Sequence, residues 1–274
     1  MHRLSCRPSG SAFLNRCAAQ PEENIVNPWF THFSRPAPHA GARLLCLPSS
    51  GGGSTLYRPW LGGLEDIELH AALLPGRERR MLEPPVQSMT AMVDGLVPAV
   101  AALADKPYFL FGHSMGALIA FELARALIAR GINPPRRLFV SAFRAPHLPN
   151  PKRDLHALPD DEFIDALREY GGTPDAVLRH RETMDVLLPM LRADFRMHET
   201  YRHHEARPLP VPITALAGRA DDAVPASQMT GWARHTDAGF AMRHFDGAHF
   251  FIHDSRDAVL KALGEAIHEE LAFA

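Results

Sequence analysis

Phe109-Leu110-Phe111-Gly112-His113-Ser114-Met115-Gly116-Ala117-Leu118 is the stretch on which the fold turns. An apolar run enters Gly-x-Ser-x-Gly, and a helix-forming stretch, Ala117 to Arg130, leaves it at once. Strand before and helix after is the setting in which this motif presents a serine nucleophile. The turn it implies is sharp. Gly112 and Gly116 must lack side chains to clear the neighbouring strand and helix, and Ser114 takes strained backbone angles at a helix N-terminus.

Outward from this motif, short apolar runs alternate with helical patterns. Strands are expected at Ala42–Leu47, Ile67–Leu73, Pro107–Phe111, Arg137–Phe143, Ile213–Ala217 and Ala241–Phe245, with helices near 56–64, 88–104, 115–130, 225–236 and 255–272. That rhythm predicts an α/β chain with a mostly parallel, doubly wound sheet. About seventy residues separate the Arg137–Phe143 and Ile213–Ala217 runs, far more than one crossover needs. They hold helical stretches near 160–170, 174–180 and 182–201, the first with Asp160 or Asp161 as its expected N-cap. The insertion, about 147–209, reads as a helical lid or as an enlarged crossover. Its stripe of Leu187, Leu188, Leu191 and Phe195 lies on one side of a helix, where it either faces a cleft or packs a core.

The 274 residues carry 29 basic and 31 acidic side chains, a formal charge of −2 with the 16 histidines neutral. Such balance argues against a broad basic field for nucleic acid or an anionic membrane. Hydrophobic residues at 46% and charged residues at 22% describe an ordinary globular chain. The closest approach to a membrane span, Ala117 to Ala129, is broken by Glu122 and Arg125. Cys6, Cys17 and Cys46 are too few and too badly spaced for a disulfide framework or a four-ligand zinc site, which fits a reducing, cytoplasmic setting. The first twenty residues carry Arg3, Arg7 and Arg16 and no acid, a bias shared with organelle transit peptides but without a long apolar core or a secretory cleavage site. Residues 1–26 are therefore expected to be a disordered extension or a misassigned start and not a targeting signal, leaving 27–274 as one domain.

A serine hydroxyl needs a base to take its proton, and the base needs an orienting acid. On an elbow of this kind the chain order is Ser, acid, His. After the Ile213–Ala217 run comes Gly218-Arg219-Ala220-Asp221-Asp222-Ala223, where spacing from Gly218 favours Asp221 over Asp222. The alternative for either is a helix N-cap. The last strand runs into Asp246-Gly247-Ala248-His249, which makes His249 the candidate base. His253 is its nearest rival and is expected to pack on the following helix, and His113 has a supporting role at most. The Met115 N–H supplies one oxyanion donor, and Ser50, in Leu47-Pro48-Ser49-Ser50-Gly51-Gly52-Gly53-Ser54, the other. Those glycines lack a following Gly-Lys-Ser/Thr and do not form a dinucleotide fingerprint, so they are not read as a phosphate cradle.

Taken together, several stretches resemble the type II thioesterases. They are Leu45-Cys46-Leu47-Pro48 with Gly51-Gly52-Gly53, Leu74-Pro75-Gly76-Arg77-Glu78, the elbow itself and Asp246-Gly247-Ala248-His249-Phe250. Leu158-Pro159-Asp160-Asp161-Glu162-Phe163 and Leu191-Arg192-Ala193-Asp194-Phe195 belong to the same pattern. The likeness runs from about Trp29 to the C-terminus, departing at Ser49-Ser50, where an aromatic or His followed by Ala is usual, and at Ala223, where Pro is common. It implies an α/β-hydrolase fold and a monomer that needs no metal or cofactor. The implied reaction is hydrolysis of aberrant acyl groups from the phosphopantetheine arm of acyl- or peptidyl-carrier proteins of nonribosomal peptide and polyketide synthesis. Arg77, Arg79, Arg80 and Arg144 would be candidate docking positives for an acidic carrier, against the plain alternative of a solvated surface. A carboxylesterase, an acyltransferase of the same fold and a non-catalytic carrier-binding module remain as alternatives.

Overall fold

A computed structural model describes residues 27–31, 39–151 and 153–273. The extension expected at 1–26, with Cys6 and Cys17, lies outside the described residues. In chain order the strands are β1 (Phe30–Thr31), β2 (Ala42–Leu47), β3 (Ile67–Ala72), β4 (Tyr108–His113), β5 (Leu138–Ser141), β6 (Ile213–Gly218) and β7 (Phe240–Phe245). They form one sheet in the order β1-β3-β2-β4-β5-β6-β7. Every pairing is parallel except β1 with β3. Two-residue β1 is too short to show a pattern, which is why sequence reading passes over it.

Period-2 alternation sorts the strand side chains into two cores. Leu45, Leu47, Leu110 and Val140 face α1 (Met89–Ala101) and α2 (Met115–Ala129). Leu44, Cys46, Phe109, Phe111 and Phe139 face a 3-10 helix at Ser54–Trp60 and the C-terminal helix α8 (Arg256–Ala272). Covering both faces is what lets β2, β4 and β5 be apolar nearly throughout. The helix expected at 56–64 is that 3-10 helix, with Pro59 inside it. The one expected at 225–236 divides into α6 (Ala226–Met229) and a 3-10 stretch, Thr230–His235. The short helix α7 (Phe251–Asp254) precedes α8.

Between β5 and β6 lie α3 (Asp160–Tyr170), α4 (Asp175–Leu178) and α5 (Arg181–Glu199), built around their own core of Phe163, Leu167, Leu178, Met184, Leu188 and Phe195. Neither Asp160 nor Asp161 caps α3. The cap position is Pro159, and Asp160 instead accepts from Arg192 of α5 at 2.5 Å. The acids still fill the first turn, where the helix dipole favours them. Among the described residues no helix is long and apolar enough to cross a membrane.

Candidate active site

The chain runs from β2 to β3 on one side of the sheet and then back to β4 on the other, so the loops after β2 and β4 diverge at the carboxyl ends of adjacent strands. Open α/β sheets bind ligands at such a crevice. Ser114 stands at the tip of β4 with φ 54° and ψ −123°, an angle pair an L-residue adopts only under constraint. The constraint is visible. A Cβ on Gly112 would come within 2.0 Å of the Gly116 carbonyl oxygen, and one on Gly116 within 2.2 Å of the Leu47 carbonyl oxygen. The Ser114 N–H donates to the Ser141 carbonyl at 2.8 Å, tying the elbow to β5.

Three candidates far apart in sequence meet here. The Ser114 hydroxyl is 3.0 Å from His249 Nε2, and His249 Nδ1–H donates to Asp221 Oδ2 at 2.9 Å. Asp221 and His249 are both buried, at 5% and 6% exposure, while Asp222 points to solvent. A carboxylate out of water keeps its full effect on the neighbouring imidazole, and it holds the tautomer whose free Nε2 can accept a proton. His113 is fully buried and engages the Ser141 hydroxyl through Nδ1 at 2.9 Å. Its pKa is pushed well down, by burial first and then by the charges of His249 and His253, so it stays neutral beside the site. His253 is exposed on α7 and stacks back on Phe250, not on the helix that follows.

Among the described residues, neither the Met115 nor the Ser50 amide donates in the backbone hydrogen bonds of turns, loops and caps. The Ser50 hydroxyl reaches Met115 Sδ at 3.5 Å, which brings the two proposed donors' residues side by side. Among the described residues no three His, Cys, Asp or Glu side chains are grouped as metal ligands.

The roof of the cleft comes from the insertion. Leu167 and Tyr170 of α3 and Leu191 and Phe195 of α5 line it together with Ser114 and His249, leaving a cavity of about 60 Å³. That is room for about four waters. The whole stripe belongs to the insertion's own core, with Leu187 packed against it, and Leu191 and Phe195 line the cleft as well. Tyr170 packs edge-on against the His249 ring at 5.9 Å. His198, also lining the cleft, has its pKa lowered to about 3 by burial and by the charges of Arg144, His156 and His249.

The four arginines do not make one surface patch. Arg77 is buried, its guanidinium paired with Asp194 of α5 at 2.7 and 2.9 Å. Arg144 is half-buried, lines the cleft and lies over the Phe143 ring. Arg80 pairs with Glu83 and covers Trp29, which leaves Arg79 exposed. The partnership of Arg77 with Asp194 escapes sequence reading, although a signal for it exists. Asp194 sits between Leu191 and Phe195 on an apolar stripe, and a carboxylate buried there requires a cationic or hydrogen-bonded partner.

Residues 42–267 match the family model described as thioesterase domain. The chain belongs to the thioesterase family. It is 37% identical over 248 residues to a gramicidin S biosynthesis protein, GrsT, of Aneurinibacillus migulanus, covering 90% of this chain and 96% of that protein. Among solved structures, the type II thioesterase BorB of the borrelidin biosynthetic cluster superposes with a TM-score of 0.79 at 36% identity, covering 87% of this chain and 97% of that one. RedJ, a thioesterase of the prodiginine pathway in Streptomyces coelicolor, gives 0.77 at 39% identity, covering 82% and 85%. The thioesterase is thus an α/β-hydrolase acting on thioester bonds, and its sheet, elbow and Ser-Asp-His order agree with that chemistry.

Proposed function

We propose that this thioesterase clears acyl groups from the phosphopantetheine arm of carrier proteins, removing aberrant ones in nonribosomal peptide or polyketide synthesis. The observation that carries the reading is the hydrogen-bonded chain Ser114–His249–Asp221 under a helical roof, in a member of this family. The biosynthetic names of GrsT, BorB and RedJ support the choice of substrate. Ser114 Oγ attacks the thioester carbonyl carbon as its proton passes to His249 Nε2. The Met115 and Ser50 N–H groups receive the oxyanion. Collapse breaks the C–S bond, the departing pantetheine sulfur takes the proton from His249, and an acyl-Ser114 ester remains. Water then attacks that ester with His249 as base, releasing the carboxylic acid and restoring the serine. Asp221 orients the imidazole and stabilises the imidazolium that forms. The insertion, about 147–209, acts as a lid that admits a long arm while limiting bulk water.

Mass spectrometry of an acetyl-carrier protein incubated with the enzyme or with Ser114→Ala tests this. Loss of the acetyl mass with the enzyme alone supports the reading. Cleavage of a p-nitrophenyl ester with the carrier thioester left intact would make it an esterase. Carrier binding without any cleavage would make it a binding module.

A further inference from the structure

The loop after β2 is held from above by the roof of the cleft. Its Gly52 N–H donates to the Ser49 carbonyl at 2.9 Å, closing a four-residue turn, and Gly51, at the third position, has φ 73°. Ser50 is not among the positive-φ residues, so the turn is of the type II class, in which only the third position demands a left-handed angle. The Ser49–Ser50 peptide is planar and trans, so the bond to the Ser49 carbonyl also sets the opposite direction of the Ser50 N–H. Two further bonds lock the turn. The Gly51 N–H donates to Asp194 Oδ2 at 2.8 Å, and the Gly52 carbonyl accepts from Arg77 Nη1 at 2.8 Å. Arg77 and Asp194 are themselves a buried bidentate pair, the acid fully buried. Asp194 therefore reaches from α5 of the insertion into the turn that carries a proposed oxyanion donor. The same helix presses on the turn directly: a Cβ on Gly51 would come within 2.7 Å of Leu191 Cδ2.

We infer that Asp194 is a positioning residue for the oxyanion turn, coupling the seating of α5 to the rate of acyl transfer. The inference rests on the proposed reaction, in which the Ser50 N–H faces the oxyanion. Moving α5 off the cleft takes away the acceptor of the Gly51 N–H and the counter-ion of Arg77 together. The turn then loses one restraint outright, and the Arg77 guanidinium that supplies the other loses the carboxylate that orients it. An acyl group that seats under the roof is cleaved quickly, whereas one that props α5 away is bound but cleaved slowly. Selection then appears in kcat and not in KM.

The test compares the enzyme with Asp194→Asn and with the double variant Arg77→Met/Asp194→Leu. The double variant exchanges the buried ion pair for apolar side chains, a replacement that commonly preserves folding, and so covers the case in which the single variant does not fold. Both variants are expected to lose kcat on an acetyl-pantetheine thioester about 10- to 100-fold, short of the full effect of deleting an oxyanion donor, with KM within about twofold. An alkylboronic acid, which adds to Ser114 Oγ and places a boron-bound oxygen in the oxyanion position, should bind more weakly by the same factor. A non-reactive S-alkyl pantetheine thioether should bind as before. Unchanged kcat and boronate affinity in a folded variant would overturn the inference, as would a loss confined to KM. If the unaltered enzyme fails to cleave the thioester, the proposed substrate falls. The boronate comparison still decides the role of Asp194, because it needs only Ser114 and the donors.

Discussion

Asp221 divides its carboxylate between His249 and its own loop: Oδ2 lies 2.9 Å from His249 Nδ1, while Oδ1 accepts from the Ala223 and Val224 amides at 2.9 and 3.0 Å. The helix N-cap, the alternative to the orienting role on sequence grounds, falls to Pro225, while Asp221 holds its own loop and His249 with one side chain. Asp221→Asn would present an amide N–H to the imidazole and favour the wrong tautomer, and kcat is expected to fall about 10⁴-fold. Ser114→Ala and His249→Ala are each expected to lose about 10⁶-fold, with the double variant no worse. Asp222→Asn, at an exposed position, should stay within about twofold of the parent. Steady-state kinetics on a pantetheine thioester measures all five.

At the elbow, the added carbon of Gly116→Ala has backbone in its way, the Leu47 carbonyl at 2.2 Å. Backbone cannot rotate aside as a side chain can. The substitution is expected to cost about 1–3 kcal/mol or more in urea unfolding and to abolish turnover, because the relief moves Ser114 away from His249.

Leu191 faces the cleft and also belongs to the insertion's core. Leu191→Ala should lower stability by about 2–5 kcal/mol and widen the roof above a cavity now small. Relative kcat/KM for long acyl thioesters over acetyl is expected to rise. A uniform loss across chain lengths would assign the residue to packing alone.

Buried histidines set an acid limit on the fold. His198 is held at about 3 and His235 at about 4, in both cases with burial as the first cause. Each is neutral when folded and protonated when unfolded between those values and about 6.5, so the unfolded state binds more protons there. Stability is whole above about pH 6.5 and declines as the pH falls through this window. The urea midpoint should drop steadily between pH 6.5 and 4.5. His198→Leu should remove about one proton from the uptake on unfolding at pH 5.

Much of this enzyme is local in origin and so legible in the chain. Ala42–Leu47 carries its strand pattern alone, and Phe109–Leu118 carries strand, turn and helix N-terminus in ten residues, because each depends on neighbours one to four positions away. Ser114, Asp221 and His249 each follow a strand end, in the chain order that this kind of elbow takes. Other features depend on distant contacts. A histidine such as His198 or His113 looks like any other until burial removes its water. Arg77, a surface cation by composition, becomes a buried partner of Asp194, 117 residues away. Within the Leu187–Phe195 stripe, which packs in the insertion's core throughout, only Leu191 and Phe195 also meet the cleft, and their spacing does not mark them out. Periodicity tells which side of a helix is apolar, since that is a property of the helix alone. What that side touches is settled only when the chain closes, because a buried charge or an apolar face is stabilised by whichever partner the fold brings within contact distance.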